Sequence, residues 1–569
     1  MSYREEAERW IENVSESGLR DELKGILDDE KALEEHFAVP MQFGTAGLRG
    51  VMGAGPAMMN VYTVRQATQG LADFIREKKP EGGLVAISYD SRINSRLFAE
   101  ESASVLAANG VRASIYSELM PTPMLSFAVR DLKADAGIMI TASHNPAKYN
   151  GYKVYGPDGC QMTIEDANSV LVHIRAHDIF DVRTMPYDRA CEEGLVTYIG
   201  EDLIDRYFEC VEARSIHKNA IRENGIKLVY SPLNGTGNKP VRRMLREKGL
   251  TDITVVKSQE LPDGNFPTCP YPNPEMMPAL AEGLKVCAEV SPDLFVATDP
   301  DADRTGVVIK DGEGYRVLTG NETGVLLLDY ICRAMKETGT MPEKPVAVRS
   351  IVSTSLADRI AADYGVEMRK VLTGFKFIGE QILMLEKAGE EDRFIFGFEE
   401  SMGYLSGSYV RDKDAVLATM LICEAASWWK SQGMTLAEAL DGIYEKYGWY
   451  RNRVVSISFE GADPSAMPNV MKSLRRETPA AIAGRKLEEY TDYLSGVENV
   501  LKTGEKKQTG LPSSDVLEYG LTGGAKVIIR PSGTEPKMKI YLTAKESSEE
   551  KSVELLDELE ADSRELLKQ

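Results

Sequence analysis

Three aspartates alternate with small or rigid residues in Asp299-Pro300-Asp301-Ala302-Asp303-Arg304. Two unit charges ~4 Å apart repel by about 4 kcal/mol at an effective dielectric of 20, so three carboxylates held together need a cation among them. All-oxygen ligands point to Mg²⁺, Mn²⁺ or Ca²⁺. An EF-hand loop wants Gly at its sixth position and Glu at its twelfth, where this segment has Arg304 and Lys310. Few protein ligands plus an outside anion suit Mg²⁺ best. A second segment, Thr141-Ala142-Ser143-His144-Asn145-Pro146, presents a hydroxyl directly after an apolar run. A serine nucleophile needs a base close by. His144 is not evidence of one, because neighbouring side chains on an extended segment point apart, and the G-x-S-x-G elbow is absent.

Two further loops carry polar groups of defined chemistry. Arg530-Pro531-Ser532-Gly533-Thr534-Glu535-Pro536 follows Val527-Ile528-Ile529. It offers a guanidinium, two hydroxyls and Gly-exposed backbone N–H groups, which suit a phosphate dianion. Gly397-Phe398-Glu399-Glu400-Ser401-Met402-Gly403 places adjacent acids and a serine after an apolar run, a set able to accept from and donate to sugar hydroxyls. Arg411-Asp412-Lys413-Asp414 lies close behind. There is no G-x-x-x-x-G-K-[ST] loop, and Gly235-Thr236-Gly237 lacks the third glycine of a dinucleotide fingerprint. ATP-driven phosphoryl transfer is therefore not indicated.

The elements that must position these loops follow from the pattern around them. Short apolar runs alternate with helical periodicity, the signature of α/β architecture. Residues 85–87, 136–140, 227–230, 294–297 and 394–396 read as strands, and each runs into a polar loop. Ligands of parallel α/β sheets bind beyond the carboxyl ends of strands. The recurrence of strand then polar loop suggests related α/β units in tandem. The last part differs: residues 454–459 and 538–542 alternate at period two, and 547–569 form a charged amphipathic helix pattern, which reads as a smaller α+β domain. Residues 431–448 read as the linker into it.

The 569 residues carry 67 Lys and Arg against 88 Asp and Glu, a formal net charge of −21. With no basic block, the chain is not a general binder of nucleic acid or anionic membrane, although a local basic cleft for a small anion is compatible with that balance. Seven cysteines without a C-x-x-C pair exclude a disulfide scaffold or zinc ribbon and fit a reducing, cytoplasmic setting. The N-terminus reads as an acidic amphipathic helix rather than a signal peptide. The apolar stretch 415–423 falls far short of the ~20 residues that span a bilayer.

Taken together and in this order, the four loops resemble the α-D-phosphohexomutase superfamily, in particular its longer bacterial phosphoglucomutases. Phe43–Gly50, Tyr149–Lys153, Thr373–Lys376 and Arg411–Asp414 match as well, so the resemblance covers about 40–545. It implies three related α/β domains with mixed sheets plus a C-terminal α+β domain around a central cleft, over 1–205, 206–316, 317–440 and 441–569. It implies that Ser143 is phosphorylated at rest, and that Asp299, Asp301 and Asp303, with Ser143, hold Mg²⁺. Glu399 and Ser401, with Thr373 and Gly374, would hold the sugar. Arg530, Ser532, Gly533, Thr534 and Arg304 would grip phosphate. Lys413, Lys153 or Arg49 would serve acid/base or charge roles, Lys being the most credible base because burial or nearby cations lower its pKa. His144 would orient the serine loop. The implied activity interconverts glucose 1-phosphate and glucose 6-phosphate through glucose 1,6-bisphosphate. Alternatives are mannose or pentose phosphates, bisphosphate synthesis, or non-catalytic binding of sugar phosphates. The expected partners are small sugar phosphates, not nucleic acid or membrane, with the chain a monomer or dimer. Asn234 stands where many relatives have His, and Phe398 and Met402 fit the longer class, which includes phosphopentomutases.

Overall fold

The computed structural model describes residues 2–44, 47–461, 463, 465–532 and 536–568. Each α/β sheet is built from parallel strands completed by at least one antiparallel neighbour, and each site-bearing loop joins a parallel strand to that neighbour. In the first sheet Ala136–Ile140 runs parallel to Leu84–Tyr89 and antiparallel to Tyr149–Tyr155. In the second, Leu294–Thr298 runs parallel to Leu228–Ser231 and antiparallel to Thr305–Asp311. In the third, Phe394–Glu399 runs parallel to Val346–Ser350 and antiparallel to Gly403–Leu405. The expected tandem units are thus present, and the three connecting loops hold Ser143, the aspartates and Glu400-Ser401 in turn.

The three parallel strands that lead into these loops are covered on both faces: Ala136–Ile140, Leu294–Thr298 and Phe394–Glu399 are buried at every residue. The sheets number six, five and four strands. The second and third share one continuous apolar core, to which the helix Ala415–Ser431 contributes Val416, Leu417, Met420, Leu421 and Ile422. Three N-terminal helices, Tyr3–Asn13, Ser17–Ile26 and Glu30–Phe37, pack on the first sheet's core through the fully buried Trp10. The Trp10 ring meets Phe37, Tyr62 and Phe180 edge-on at 6.2, 5.7 and 5.2 Å.

The C-terminal part is antiparallel throughout, with Trp449–Ser458 paired along its length to Lys537–Glu546 and the helix Glu549–Leu566 over one face. The half-exposed alternation expected at 454–459 is found over 454–458 and the terminal helix is present, whereas 538–542 is buried apart from Lys539, because this strand lies between two others in the sheet. The segment read as a linker is instead largely the helix Leu436–Tyr447. A capping box between Thr435 and Glu438 starts it, and Leu436, Ala437, Ala439, Leu440, Ile443 and Tyr444 are buried. Its apolar face matches the second and third units, which sequence pattern alone does not reveal. Among the described residues no helix is long and apolar enough to cross a membrane, and all seven cysteines are free.

Candidate active site

Ser143 sits just past the end of Ala136–Ile140, 2% exposed, in the left-handed backbone region at φ 50°. A left-handed non-glycine residue is costly and points to a built conformation. The same conformation recurs at Ala302 (φ 48°) and Met402 (φ 62°), in the metal-type and acidic loops. The Ser143 N–H donates to Thr141 Oγ1 at 2.7 Å, and Thr141 Oγ1 donates to Asp90 Oδ2 at 2.6 Å. Arg92, fully buried and 3.3 Å from Asp90, donates to the carbonyls of Ser143 and Asn145, and to those of Pro146 and Tyr149 at 3.0 and 3.1 Å. One guanidinium therefore ties down four carbonyls of the serine loop and its exit. Sequence reading places Asp90 and Arg92 in the polar loop after a strand but gives them no role in the site.

The side chain of Ser143 reaches the second unit. Its hydroxyl donates to Asp299 Oδ2 at 2.9 Å. Its Oγ also lies 3.2 Å from His144 Nδ1. This corrects the expectation that the two side chains point apart: that rule holds for extended backbone, and the left-handed turn at Ser143 swings them together. Arg304 donates from Nη1 to His144 Nδ1 and lies 3.3 Å from Nε2. Burial, then the Arg304 and Arg49 charges, pull the His144 pKa well down, so the ring is a neutral acceptor. Arg49, an exposed residue, donates to Asn145 Oδ1 at 3.2 Å.

Asp299, Asp301 and Asp303 are buried, with one oxygen of each within 4.8 Å of the others. Burial, then the neighbouring Asp303 and Asp301 charges, push Asp299 well above the carboxylate range. Burial also acts on Asp301, but the Lys153 charge and hydrogen bond outweigh it and hold that group low. Lys153 Nζ donates to Asp301 Oδ2 at 2.8 Å and Thr122 Oγ1 donates to the same oxygen at 2.9 Å. Lys413 Nζ lies 3.0 Å from Asp303 and donates to Asp412 at 2.9 Å, while Tyr155 donates to the other Asp412 oxygen at 2.7 Å. Gly403 admits the lysine stem: a Cβ there would fall 2.1 Å from Lys413 Cδ. Asp301 Oδ1 and Asp303 Oδ1 are buried without a hydrogen-bond partner among the described residues. A buried, all-oxygen set with two orphaned carboxylate oxygens fits a hard divalent cation.

The expected lowering of the lysine pKa fails for Lys413. Burial does act to lower it, but Asp303 and Asp412 outweigh burial and raise it. The carboxylates outweigh both burial and the Arg304 charge, the two kinds of lowering influence on which the expectation rested.

Beside this centre lies a cleft of ≈ 460 Å³ lined by His144, Asn273, Glu275, Arg304, Thr373, Gly374, Glu399, Glu400, Ser401, Val454, Arg530, Lys539 and Tyr541. It brings together one group from the serine loop, one from the aspartate loop, both residues of the 373–374 turn, the acidic loop and Arg530. Glu399, 7% exposed, accepts from the Gly374 N–H at 2.7 Å. Burial and the Glu399 charge push Glu400 up to about 7, and Ser350 donates to it at 3.0 Å. Arg530 and Lys539 are direct partners on adjacent strands, so both present cations to the same wall. Ser532 closes the turn beyond Arg530, its N–H donating to Lys537 O at 2.8 Å. Gly533 and Thr534 lie outside the described residues, as do Thr45 and Ala46 of the segment 43–50. Asn273, Glu275, Lys539 and Tyr541 were not singled out from the sequence.

Comparison with known proteins places this geometry. The models for phosphoglucomutase/phosphomannomutase α/β/α domains I, II and III match residues 40–178, 205–312 and 319–447. A curated phosphoglucomutase of Staphylococcus saprophyticus is 34% identical over 537 residues, covering 94% of this chain and 95% of that protein. Two crystal structures share the fold. The phosphoglucomutase parafusin of Paramecium, in its open form, has a TM-score of 0.70 at 17% identity, covering 93% of this chain and 94% of that one. A phosphoglucomutase/phosphomannomutase family protein of Burkholderia thailandensis has a TM-score of 0.66 at 19% identity, covering 92% and 96%. Three family domains in succession, and a relative aligned along nearly its whole length, establish that the chain belongs to the phosphoglucomutase/phosphomannomutase family, within the α-D-phosphohexomutase superfamily.

Proposed function

We propose that the chain is an intramolecular phosphotransferase that interconverts α-D-glucose 1-phosphate and glucose 6-phosphate, with Ser143 phosphorylated at rest and glucose 1,6-bisphosphate as the intermediate. The observation that carries this reading is the meeting of Ser143 Oγ and Asp299 Oδ2 at 2.9 Å, beside two more buried aspartates and a cleft that contains Arg530. The curated phosphoglucomutase relative supports the choice of sugar.

In the first half-reaction the bond between Ser143 Oγ and phosphorus breaks as a sugar hydroxyl oxygen bonds to phosphorus, and the hydroxyl proton passes to a base. The bisphosphate turns over within the cleft. In the second, the other phosphoryl returns to Ser143 Oγ, and the sugar oxygen it leaves regains a proton. Asp299, Asp301 and Asp303, with Ser143, would hold Mg²⁺. When bound, that ion withdraws charge and makes the serine oxygen a better leaving group. Arg530, Ser532, Gly533 and Thr534, with Arg304, grip the non-reacting phosphate. Glu399 and Ser401, beside Thr373 and Gly374, hold sugar hydroxyls. Lys413, kept charged by Asp303 and Asp412, stabilises the moving phosphoryl, which leaves the base role to Lys153 or Arg49. Positioning and charge of this kind account for most phosphoryl-transfer catalysis. We assign the four loops to successive units over 1–205, 206–316, 317–440 and 441–569, and the chain to the cytoplasm, which its free cysteines support.

The test is a mutase assay with Mg²⁺ and trace glucose 1,6-bisphosphate on the 1-phosphates of glucose, mannose and ribose, compared by kcat/KM. A dominant glucose value is expected. A dominant mannose or ribose value overturns the sugar assignment and keeps the chemistry. Ser143→Ala abolishes turnover; near-normal activity refutes the phosphoserine role.

A further inference from the structure

The cleft has a wall that the reading above does not use. The turn Tyr271-Pro272-Asn273-Pro274-Glu275-Met276 belongs to the second unit, yet it lies between the aspartate loop and the acidic loop. Pro272 and Pro274 are buried, while Asn273 and Glu275 between and after them line the cleft. Pro274 rests on Gly306, where a Cβ would fall 2.7 Å from Pro274 Cβ and 3.5 Å from Met402 Sδ. The strand bearing Gly306 is in turn tied to the acidic loop, the Thr305 N–H donating to Met402 O at 3.0 Å. Within the turn, the Asn273 N–H donates to Tyr271 O at 2.8 Å, the Met276 N–H donates to Asn273 O at 2.9 Å and the Glu275 N–H donates to Asn273 Oδ1 at 3.0 Å. Two prolines and three internal hydrogen bonds make this a rigid platform, pre-organised at little further entropic cost.

Counting acceptors gives the platform a task. Besides the reacting oxygen and the one already phosphorylated, a hexose monophosphate presents three ring hydroxyls. One oxygen of Glu399 is taken by the Gly374 N–H, and one of Glu400 by Ser350. That leaves the acidic loop one further oxygen on each carboxylate and Ser401 as its one hydroxyl donor, against three ring hydroxyls that each donate and accept. The Glu275 carboxylate is near enough to act electrostatically on Arg304 and Glu400. With Asn273 Oδ1 held inside the turn, the amide NH₂ is the donor this residue offers the cleft.

We propose that Glu275 and Asn273 form a second sugar-reading wall, the carboxylate accepting from and the amide donating to ring hydroxyls that Glu399 and Ser401 do not hold, and so determine which sugar is turned over. This rests on the mutase reading of the cleft.

The test crosses protein and substrate changes. Wild type, Glu275→Gln and Asn273→Ser are assayed by kcat/KM on glucose 1-phosphate and on its 2-, 3- and 4-deoxy analogues. Loss of a charged acceptor costs Glu275→Gln about tenfold or more on the parent sugar. On the analogue lacking the partner hydroxyl, that penalty disappears. A merely structural role instead gives the same penalty on every analogue, and that result, or no penalty at all, overturns the proposal. The series is run on whichever sugar 1-phosphate wild type turns over best. Absence of glucose turnover therefore counts against the sugar assignment alone, while the crossed penalties still decide Glu275 and Asn273.

Discussion

Ser143 and Asp299 are 156 residues apart in the chain and meet through a hydrogen bond of 2.9 Å. Each stands at the end of a buried strand, in a connection that doubles back to an antiparallel neighbour, and each loop contains a left-handed non-glycine residue. The nucleophile and the carboxylates thus meet because two similar units present similar loops to one another.

The aspartate cluster is destabilising without its cation. Asp299→Asn removes one buried negative charge while the amide oxygen can still accept from the N–H groups of Asp303 and Arg304, which Asp299 Oδ1 accepts at 3.1 and 3.0 Å. In chelator the variant is expected to be more stable than wild type at pH 8, by about 1–2 kcal/mol. It also loses the rise in Tm that Mg²⁺ gives wild type, along with activity. Equal Mg²⁺ stabilisation of both proteins in thermal melts refutes the metal assignment.

Lys413 is bound to two buried carboxylates, and its removal leaves them uncompensated. Lys413→Met is expected to cost about 3 kcal/mol in chelator and less with Mg²⁺ present, because the cation takes over part of the neutralisation. Because its pKa is raised in the folded chain, the contribution is fully present below the unfolded value near 10.4 and constant across neutral pH. Urea titrations at pH 6 and 8, with and without Mg²⁺, measure each part; an equal loss in both metal states counts against a shared role.

Arg530 faces the cleft on a strand wall beside Lys539. Arg530→Ala is expected to raise KM for a sugar phosphate by about tenfold or more, the scale of one charge-assisted contact to phosphate, with a smaller change in kcat. Inorganic phosphate, as a competitive inhibitor, should weaken in parallel. An unchanged KM is incompatible with a phosphate contact here.

Glu400 binds its proton more tightly in the folded chain, at about 7, than an ordinary glutamate at 4.5. Between those values the folded state holds more protons than the unfolded state, so this group's contribution falls as pH rises through that window. Glu400→Gln is expected to gain stability relative to wild type as pH goes from 5 to 8, by on the order of 2 kcal/mol. Parallel denaturation curves at the two pH values give the difference directly. A gain that is the same at both removes the titration from Glu400.

Much of the site was legible before folding because it is local in sequence. The alternation of Asp299, Asp301 and Asp303 needs a cation by charge alone. The serine, acidic and arginine loops each follow an apolar strand, which identifies them as strand-end loops. Burial patterns that repeat within a strand or helix were legible for the same reason, hence the agreement for the strands ending near Tyr89, Ile140, Ser231, Thr298 and Glu399.

What stayed hidden depends on partners distant in the chain. The residues of 431–448 could be read as a linker because the surface that buries Leu440 and Ile443 comes from other units. His144 turns toward Ser143 because a backbone angle, which no side-chain type announces, places it there. Lys413 is raised rather than lowered because Asp303 lies 110 residues upstream and Asp412 beside it. The Asn273–Glu275 platform was not singled out, because two prolines around an asparagine do not show which distant loops the segment will face. The sequence by itself determined which chemical groups are present and that each sits in a loop after a strand, since spacing and apolar periodicity are local properties. The tertiary structure alone decided which groups meet, which charges neighbour which, and how deeply each is buried, because electrostatics and desolvation depend on distances in space rather than on separation along the chain.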